Sequence, residues 1–347
     1  MKVLVTGGAG YVGSHTSRLL DRAGHTVWIY DNLSQGHREA ALPGRLIEGD
    51  LADGAELRRV LKTLRIDAVV HFAAYSLVGE SVVAPAKYYG NNVVGAYSLL
   101  EAMRDCDVRR IVFSSTTAVY GAPDHIPISE NETLRPINPY GFTKLVIERA
   151  LDDYARAYGF GFAALRYFNA AGAAPEGDLG EDHSPETHLI PLVLQTALGL
   201  RAEITIFGDD YPTPDGTCVR DYIHVDDLGA AHVLALDHLR PGQGLKLNLG
   251  TGRGYSVREV IESCRRVTGL PIPERIGERR PGDPPCLVAD ARRAQDILGW
   301  RPRYLELDDV IETAWRWHKT HPYGYKRSVP AIVTSDVRAV ESRIAGL

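Results

Sequence analysis

The beginning of this chain constrains it most: the apolar run Val3-Leu4-Val5 passes directly into Thr6-Gly7-Gly8-Ala9-Gly10-Tyr11-Val12-Gly13, after which residues 14–23 take helical spacing. A strand that becomes a helix through spaced glycines meets three physical demands in order. The turn is tight, the backbone can approach a ligand without side chains in the way, and the helix N-terminus aims free N–H groups at it. An anion as large as a pyrophosphate fits that arrangement. Asp31, at the end of the next apolar run, places a carboxylate where an adenosine ribose would present its hydroxyls. A carboxylate there accepts hydrogen bonds from the ribose and repels an added 2′-phosphate, so the expected dinucleotide is NAD rather than NADP.

Short β-rich runs at 3–6, 26–30, 46–49, 68–72, 110–114 and 162–167 alternate with stretches of helical spacing at 54–64, 87–104 and 141–158. Strands alternating with helices predict an α/β architecture, a doubly wound parallel sheet of the Rossmann type, over residues 1–170. Beyond residue 170 the chain turns to Pro-, Gly- and Asp-rich loops at 173–185, 208–216 and 279–285, between shorter elements such as 204–207 and 246–249. That change predicts a smaller α/β substrate lobe, mainly residues 171–323. Segments 220–224 and 225–239 read as a strand and helix returning to the main body. Residues 324–347 form a C-terminal tail in which Val337, Val340, Ile344 and Leu347 can share one helix face, leaving a docked helix and a frayed tail both open.

Composition narrows the partners. The 347 residues carry 39 Lys plus Arg against 44 Asp plus Glu, a net charge of −5 with no basic surplus for a nucleic-acid backbone. No uncharged stretch reaches the roughly 18–20 residues that span a bilayer. Residues 2–7 enter a strand-like run without the parts of a signal peptide, which points to a soluble, cytoplasmic protein that starts where its fold starts. The four cysteines, Cys106, Cys218, Cys264 and Cys286, form no CxxC pair, and His15, His25 and the other histidines show no metal-ligand cluster. Neither a disulfide framework nor a metal site is expected, and Trp300, Trp315 and Trp317 read as packing residues.

Two further patterns carry chemistry. Tyr140-Gly-Phe-Thr-Lys144 opens a helix, and i, i+4 spacing puts phenol and ammonium on one face. A nearby cation favours phenolate, which suits a tyrosine for removing an alcohol proton. The run Phe113-Ser114-Ser115-Thr116-Thr117 ends a strand in hydroxyls at the carboxyl edge of the expected sheet, where Asp50-Leu51 and Phe72-Ala73-Ala74 also lie, and that edge is where such sheets bind ligands. Together the glycine loop, the Ser/Thr strand end and Tyr-x-x-x-Lys resemble the extended short-chain dehydrogenase/reductase family. Gly79-Glu-Ser81, Asn91-Asn92, Leu165-Arg-Tyr-Phe-Asn169, Gly177-Asp-Leu-Gly-Glu-Asp182, Gly208-Asp-Asp-Tyr-Pro-Thr213, Asp215-Gly-Thr217 and Val219-Arg-Asp-Tyr-Ile-His-Val225 are similar, more narrowly, to the UDP-glucose 4-epimerase family. The likeness runs to about residue 323.

The resemblance implies reversible 4-epimerisation of UDP-glucose and UDP-galactose through a 4-keto sugar, with NAD as transient hydride acceptor. Catalysis would rest on Tyr140, Lys144 and Thr116. Beside Gly7, Gly10, Gly13, Asp31, Asp50, Leu51, Phe72, Ala73 and Ala74, the implied NAD contacts are Tyr11, Val12, Asn32, Leu33, Ser34, Gly36, Ser76, Asn91, Ser114, Tyr140, Lys144 and Tyr167. The nucleotide sugar would meet Ser76, Thr116, Tyr140, Asn169, His188, Leu189, Thr205, Ile206, Phe207, Arg220, Tyr222, Val257, Arg280, Asp283 and Leu287. Within that set the arginines suit a diphosphate, Asp283 ribose hydroxyls and Phe207 the face of uracil.

Two positions depart from the family pattern. Ser76 stands where some members carry a lysine near the pyrophosphate, and Leu287 aligns with the residue that limits sugar size, so N-acetylated and pentose UDP-sugars remain open. A nucleotide-sugar 4,6-dehydratase needs an extra acid and base, and Thr117-Ala118 supplies no carboxylate. A non-catalytic NAD-binding scaffold would be expected to lack Tyr140, Lys144 or Thr116. Residues 92–104 and 142–158 match the family's dimer-forming helices, with Val146, Ala150, Asp153 and Tyr154 as candidates to meet a partner, so a homodimer is expected.

Overall fold

In the computed structural model, which describes residues 1–280 and 282–325, the alternation of the first half becomes a seven-stranded parallel sheet. Its first six strands in chain order are β1 (Lys2–Thr6), β2 (Thr26–Asp31), β3 (Leu46–Glu48), β4 (Ala68–His71), β5 (Arg110–Thr116) and β6 (Gly161–Tyr167). Across the sheet they run β6, β5, β4, β1, β2, β3, with Gly244–Leu249 as a seventh strand beyond β6. Parallel strands covered on both faces must be apolar on both, and β4 is buried throughout. Leu4, Val69, Ile111 and Phe113 face one layer, with α2 (Gly54–Leu64) and the helices Ala96–Asp105 and Pro139–Tyr158. Val3, Val5, Val70 and Val112 face the other, with α1 (Tyr11–Arg22) and the helix Val225–His238. The direction of winding reverses between β1 and β4, and the crevice at their carboxyl ends is the general ligand position of such sheets.

Three sequence expectations change. Residues 246–249, read as part of the lobe, belong to the main sheet: Leu245↔Ala163 and Leu247↔Leu165 are in register, and Leu247 and Leu249 are fully buried. Segment 220–224 is not one returning strand. Val219–Arg220 pairs with Tyr255–Ser256 and Cys286–Leu287, whereas Tyr222–His224 pairs with Asn169–Ala171. The break falls at Asp221, a buried carboxylate that accepts the N–H groups of Thr251 and Gly252, each at 2.9 Å. The following helix does return to the main body, so closely that a Cβ on Gly229 would meet Leu19 at 2.6 Å. Residues 87–104 are helical in three pieces, Pro85–Tyr88, a π-helical turn Tyr89–Gly95, and Ala96–Asp105.

The lobe packs the helices Leu189–Ala197, Val257–Thr268 and Leu307–Thr320 around Val193, Leu194, Val260, Ile261, Val310 and Ile311. The two-stranded pair Ile204–Phe207 and Glu274–Gly277 extends from it. All four cysteines are unpaired thiols. No helix among the described residues is long and apolar enough to cross a membrane. Val337, Val340, Ile344 and Leu347 lie outside the described residues.

Candidate active site

The glycine loop is a cradle that side chains would fill. A Cβ on Gly13 would lie 2.2 Å from the Gly7 carbonyl oxygen, and one on Gly7, whose φ is +72°, would lie 2.5 Å from the Ala73 nitrogen. Phe72 and Ala73 are held there by donating their N–H groups to the Thr6 carbonyl at 2.8 and 3.1 Å, so the ends of β1 and β4 meet under the loop. Asp31 is buried, with Oδ2 accepting the Ala9 N–H at 3.0 Å and Oδ1 the Leu33 N–H at 2.9 Å. Burial pushes its carboxyl upward while those N–H bonds pull it back. A carboxylate has about four acceptor positions, so two remain for ribose hydroxyls.

The adjoining turn is set by its own polar groups. Asn32 donates to Asp50 at 2.8 Å and accepts the Ser34 N–H at 3.0 Å, Leu33 takes a left-handed φ of 56°, and a Cβ on Gly36 would press on Ala9. Leu51 is core. Thus the backbone donors, the ribose-facing acid and the close-packed floor needed by a dinucleotide are together, and these residues fit NAD.

Tyr140 and Lys144 sit in the first turns of the helix Pro139–Tyr158, begun by Pro139 and by Asn138, whose Oδ1 accepts the Gly141 N–H at 2.8 Å. Lys144 is buried, donates to the Ser114 carbonyl at 2.8 Å, and lies 5.0 Å from the Phe113 ring centroid and 6.0 Å from that of Tyr140. Burial lowers the ammonium to about 7, against an opposing pull from Glu148. The expectation that Lys144 depresses the Tyr140 phenol is not met here. Burial raises that phenol, Tyr167 adds to the rise, and only a hydrogen bond with Thr116 opposes it. The Lys144 ammonium is turned to the Ser114 carbonyl at 2.8 Å and stands 6.0 Å from the Tyr140 ring centroid. Tyr167 and Ser114 share a hydroxyl–hydroxyl bond of 2.7 Å.

The structure also brings together most of the lobe residues. Asp283 accepts Arg220 at 2.8 Å on one oxygen and Arg280 at 2.8 and 3.0 Å on the other. The Arg280 guanidinium lies 5.1 Å over the ring of Phe207, which is 43% exposed. A planar cation, a carboxylate and an open aromatic face thus share one patch. Ile206 and Tyr222 are buried in the lobe core, and Leu189 and Val257 pack against it, so Ile206 can offer a ligand only its main chain. Thr205 shares its strand with Phe207, and Asn169 pairs in register with Tyr222. Leu287 lies beside Arg220 in register and packs on the cluster of Tyr120, Ile128 and Phe168. Ser76 is exposed.

Several supporting groups escaped the sequence reading. Buried Asn92 pins the loop after β4 by accepting the Tyr75 N–H and donating to the Tyr75 carbonyl, both at 2.9 Å, and it donates to Thr143 at 3.2 Å, while neighbouring Asn91 donates to it. Asn91-Asn92 inside an otherwise apolar stretch was the available signal. Glu148, one turn beyond Lys144, is buried and accepts two hydrogen bonds from Arg166, at 2.5 and 2.9 Å, and one from Ser115 at 2.6 Å. The reading that the histidines form no cluster is corrected. Glu181, His183, Glu186 and His188 each aim one ligating atom into a space where all lie within 4.8 Å, because the loop before Leu189 folds back on itself. His188 is therefore turned toward carboxylates.

A model of the NAD dependent epimerase/dehydratase family matches residues 3–250. The chain belongs to this family. Within it, the chain is 56% identical to UDP-glucose 4-epimerase of Halalkalibacterium halodurans, over 94% of this chain and 98% of that protein. Among solved structures it is similar to UDP-glucose 4-epimerase of Brucella ovis in complex with NAD, with a TM-score of 0.87, 52% identity, and coverage of 90% of this chain and 97% of that one. It is likewise similar to the Bifidobacterium longum UDP-glucose 4-epimerase in complex with NAD+ and UDP, with a TM-score of 0.90, 41% identity, and coverage of 94% and 100%. Family membership makes this an NAD-dependent enzyme with the Rossmann-type fold described above.

Proposed function

We propose that the chain interconverts UDP-glucose and UDP-galactose by inverting C4. The observation that carries the reading is the convergence of Tyr140, Thr116 and Lys144 at the carboxyl edge of the sheet, in a chain whose relatives at 50–56% identity over nearly their whole length are UDP-glucose 4-epimerases. Residues 1–170, with Val225–His238 and Gly244–Leu249, hold NAD, and most of 171–323 holds the nucleotide sugar. NAD bound in the glycine cradle supplies a reversible hydride acceptor beside the sugar.

The rest is the work of this chain. Tyr140 takes the proton of the sugar 4-OH as phenolate, a form that a protonated Lys144 beside it favours against the burial that raises the phenol, and returns the proton after the ketone has turned over in the site. Thr116 bonds the oxygen being deprotonated. Lys144, fixed by the Ser114 carbonyl, bonds the nicotinamide ribose and adds charge beside the phenol when protonated. Arg220 and Arg280 bind the diphosphate, trading Asp283 for phosphate oxygens and freeing Asp283 for ribose hydroxyls; Phe207 stacks on uracil.

A homodimer supports this unit. Val93, Val94, Tyr97, Val146, Ile147 and Ala150 line an apolar groove across Tyr89–Gly95, Ala96–Asp105 and Pro139–Tyr158, with Val94 60% and Tyr97 54% exposed. Tyr154, counted as a partner-facing candidate in the sequence, instead packs in the chain's own core. The unpaired thiols suit a reducing, cytoplasmic compartment.

The purified enzyme, incubated with UDP-glucose, UDP-N-acetylglucosamine and UDP-xylose without added NAD, is expected to yield UDP-galactose. Accumulation of a 4-keto-6-deoxy sugar, or absence of any epimer, contradicts the reading. A solution mass equal to one chain contradicts the dimer.

A further inference from the structure

The cluster at the seam of the two halves has the donor set of a metal site rather than of a sugar-binding loop. The His183 and His188 Nδ1 atoms both face both carboxylates. His188 Nδ1 is 2.8 Å from Glu181 and 2.9 Å from Glu186, and His183 Nδ1 is 3.2 Å from Glu181 and 3.7 Å from Glu186. In a tetrahedral zinc site with bonds of about 2.0–2.2 Å, neighbouring ligand atoms stand about 3.4 Å apart, within the spread of these contacts. Glu181 and Glu186 are 5% and 8% exposed at their side chains, and two carboxylates so placed require two positive charges. Two imidazolium protons or one divalent cation with neutral imidazoles can supply them.

The surroundings hold the ligands as a metal site needs. Glu186 is fixed by the N–H groups of Thr187 and His188 at 2.7 and 2.8 Å, and the Glu181 carbonyl accepts the buried Trp317 indole N–H at 3.2 Å. His183 packs edge-on against Tyr11 of the glycine loop, and Tyr11 donates to the Gly172 carbonyl at 2.6 Å. The cluster therefore joins the cofactor loop to the segment that delivers His188 and Leu189 to the lobe.

We propose that Glu181, His183, Glu186 and His188 bind one divalent transition-metal ion of the zinc class, which clamps the 172–188 segment between the cofactor loop and the substrate lobe. Two imidazoles favour such an ion over calcium or magnesium, which take oxygen ligands. All four protein ligands are supplied by one segment of eight residues, as in a closed structural site, and the ion takes no part in hydride or proton transfer. Binding releases the imidazole protons, so affinity rises with pH.

The test uses the full-length enzyme, dialysed against zinc sulfate and then metal-free buffer, with bound metal counted by mass spectrometry. The expected result is about one zinc per chain, kept by Cys286→Ser and lost from the double variant His183→Ala, Glu186→Gln. Zinc also raises the Tm of the wild-type protein by several degrees and leaves that of the double variant unmoved. Should the double variant fail to fold, anomalous diffraction at the zinc edge on wild-type crystals decides: a peak among the four side chains supports the site, and no peak, or one at the cysteines, overturns it. Equal zinc retention by the wild type and a folded double variant overturns it as well. So does wild-type protein that keeps none, which would leave the four groups as ion pairs alone.

Discussion

The two halves of the ligand crevice are built on different principles. On the proposed cofactor side, recognition rests on backbone: the shapes of Gly7 and Gly13, the N–H groups that open α1, and an Asp31 held by two main-chain donors. On the proposed lobe side it is made by side chains brought from distant segments, Arg280 and Asp283 from one loop and Arg220 and Phe207 from two short strands. A backbone site is rigid and intolerant of added atoms. A side-chain site, with its arginines paired to Asp283 before a phosphate arrives, can exchange partners. A cofactor regenerated in each turnover needs the first kind, and a substrate that must leave needs the second.

The contrast can be broken or sharpened in order of expected effect. Tyr140→Phe, at the seam, should lower kcat about 10²–10⁴-fold while nicotinamide absorbance shows NAD still bound and KM changes little; a kcat within threefold of the wild type removes Tyr140 as the base. Gly13→Ala should cost about 1–3 kcal/mol of cofactor binding, seen as NAD lost on gel filtration, because its Cβ meets the Gly7 oxygen. Arg280→Met should leave NAD in place and raise KM for UDP-glucose about tenfold, the value of a charge-assisted bond. If Arg280→Met sheds NAD, or Gly13→Ala changes only KM, the division between halves fails.

The smallest effect concerns Lys144. Its ammonium stands at about 7 in the folded chain against 10.5 for an ordinary lysine, so the unfolded chain binds more protons between these values. The burden of burying it is then full below about pH 7 and fades as pH rises toward 10.5. In urea unfolding of nucleotide-free protein, Lys144→Met should be more stable than the wild type near pH 7, and the gap should narrow toward pH 9.5. A gap that does not change with pH denies the burial.

The same contrast explains what the sequence made legible. The cofactor half follows local rules: glycine spacing, apolar runs and a capped helix put α2 and the helix at Tyr140 within a residue or two of their observed bounds. What was missed depends on distant partners. Residues 246–249 read as a short element, but their place at the edge of the main sheet, in register with β6 and with Lys246 paired to Asp152 at 2.6 Å, depends on contacts made across the fold. The π-helical turn carries Asn92, which bonds the Tyr75 backbone, a contact invisible to periodicity. Burial, not spacing, sets the Tyr140 phenol, and no pattern in Tyr-x-x-x-Lys reports that Lys144 is turned to Ser114. The Glu181–His188 cluster depends on a loop folding back on itself, whereas the histidine spacing alone resembles no metal motif.

The central claim is that C4 is inverted by hydride that leaves and returns without meeting solvent. Conversion of UDP-[4-²H]glucose in ordinary water tests it most directly. The account predicts UDP-galactose that keeps deuterium at C4, whereas wash-out of the label into water would contradict it.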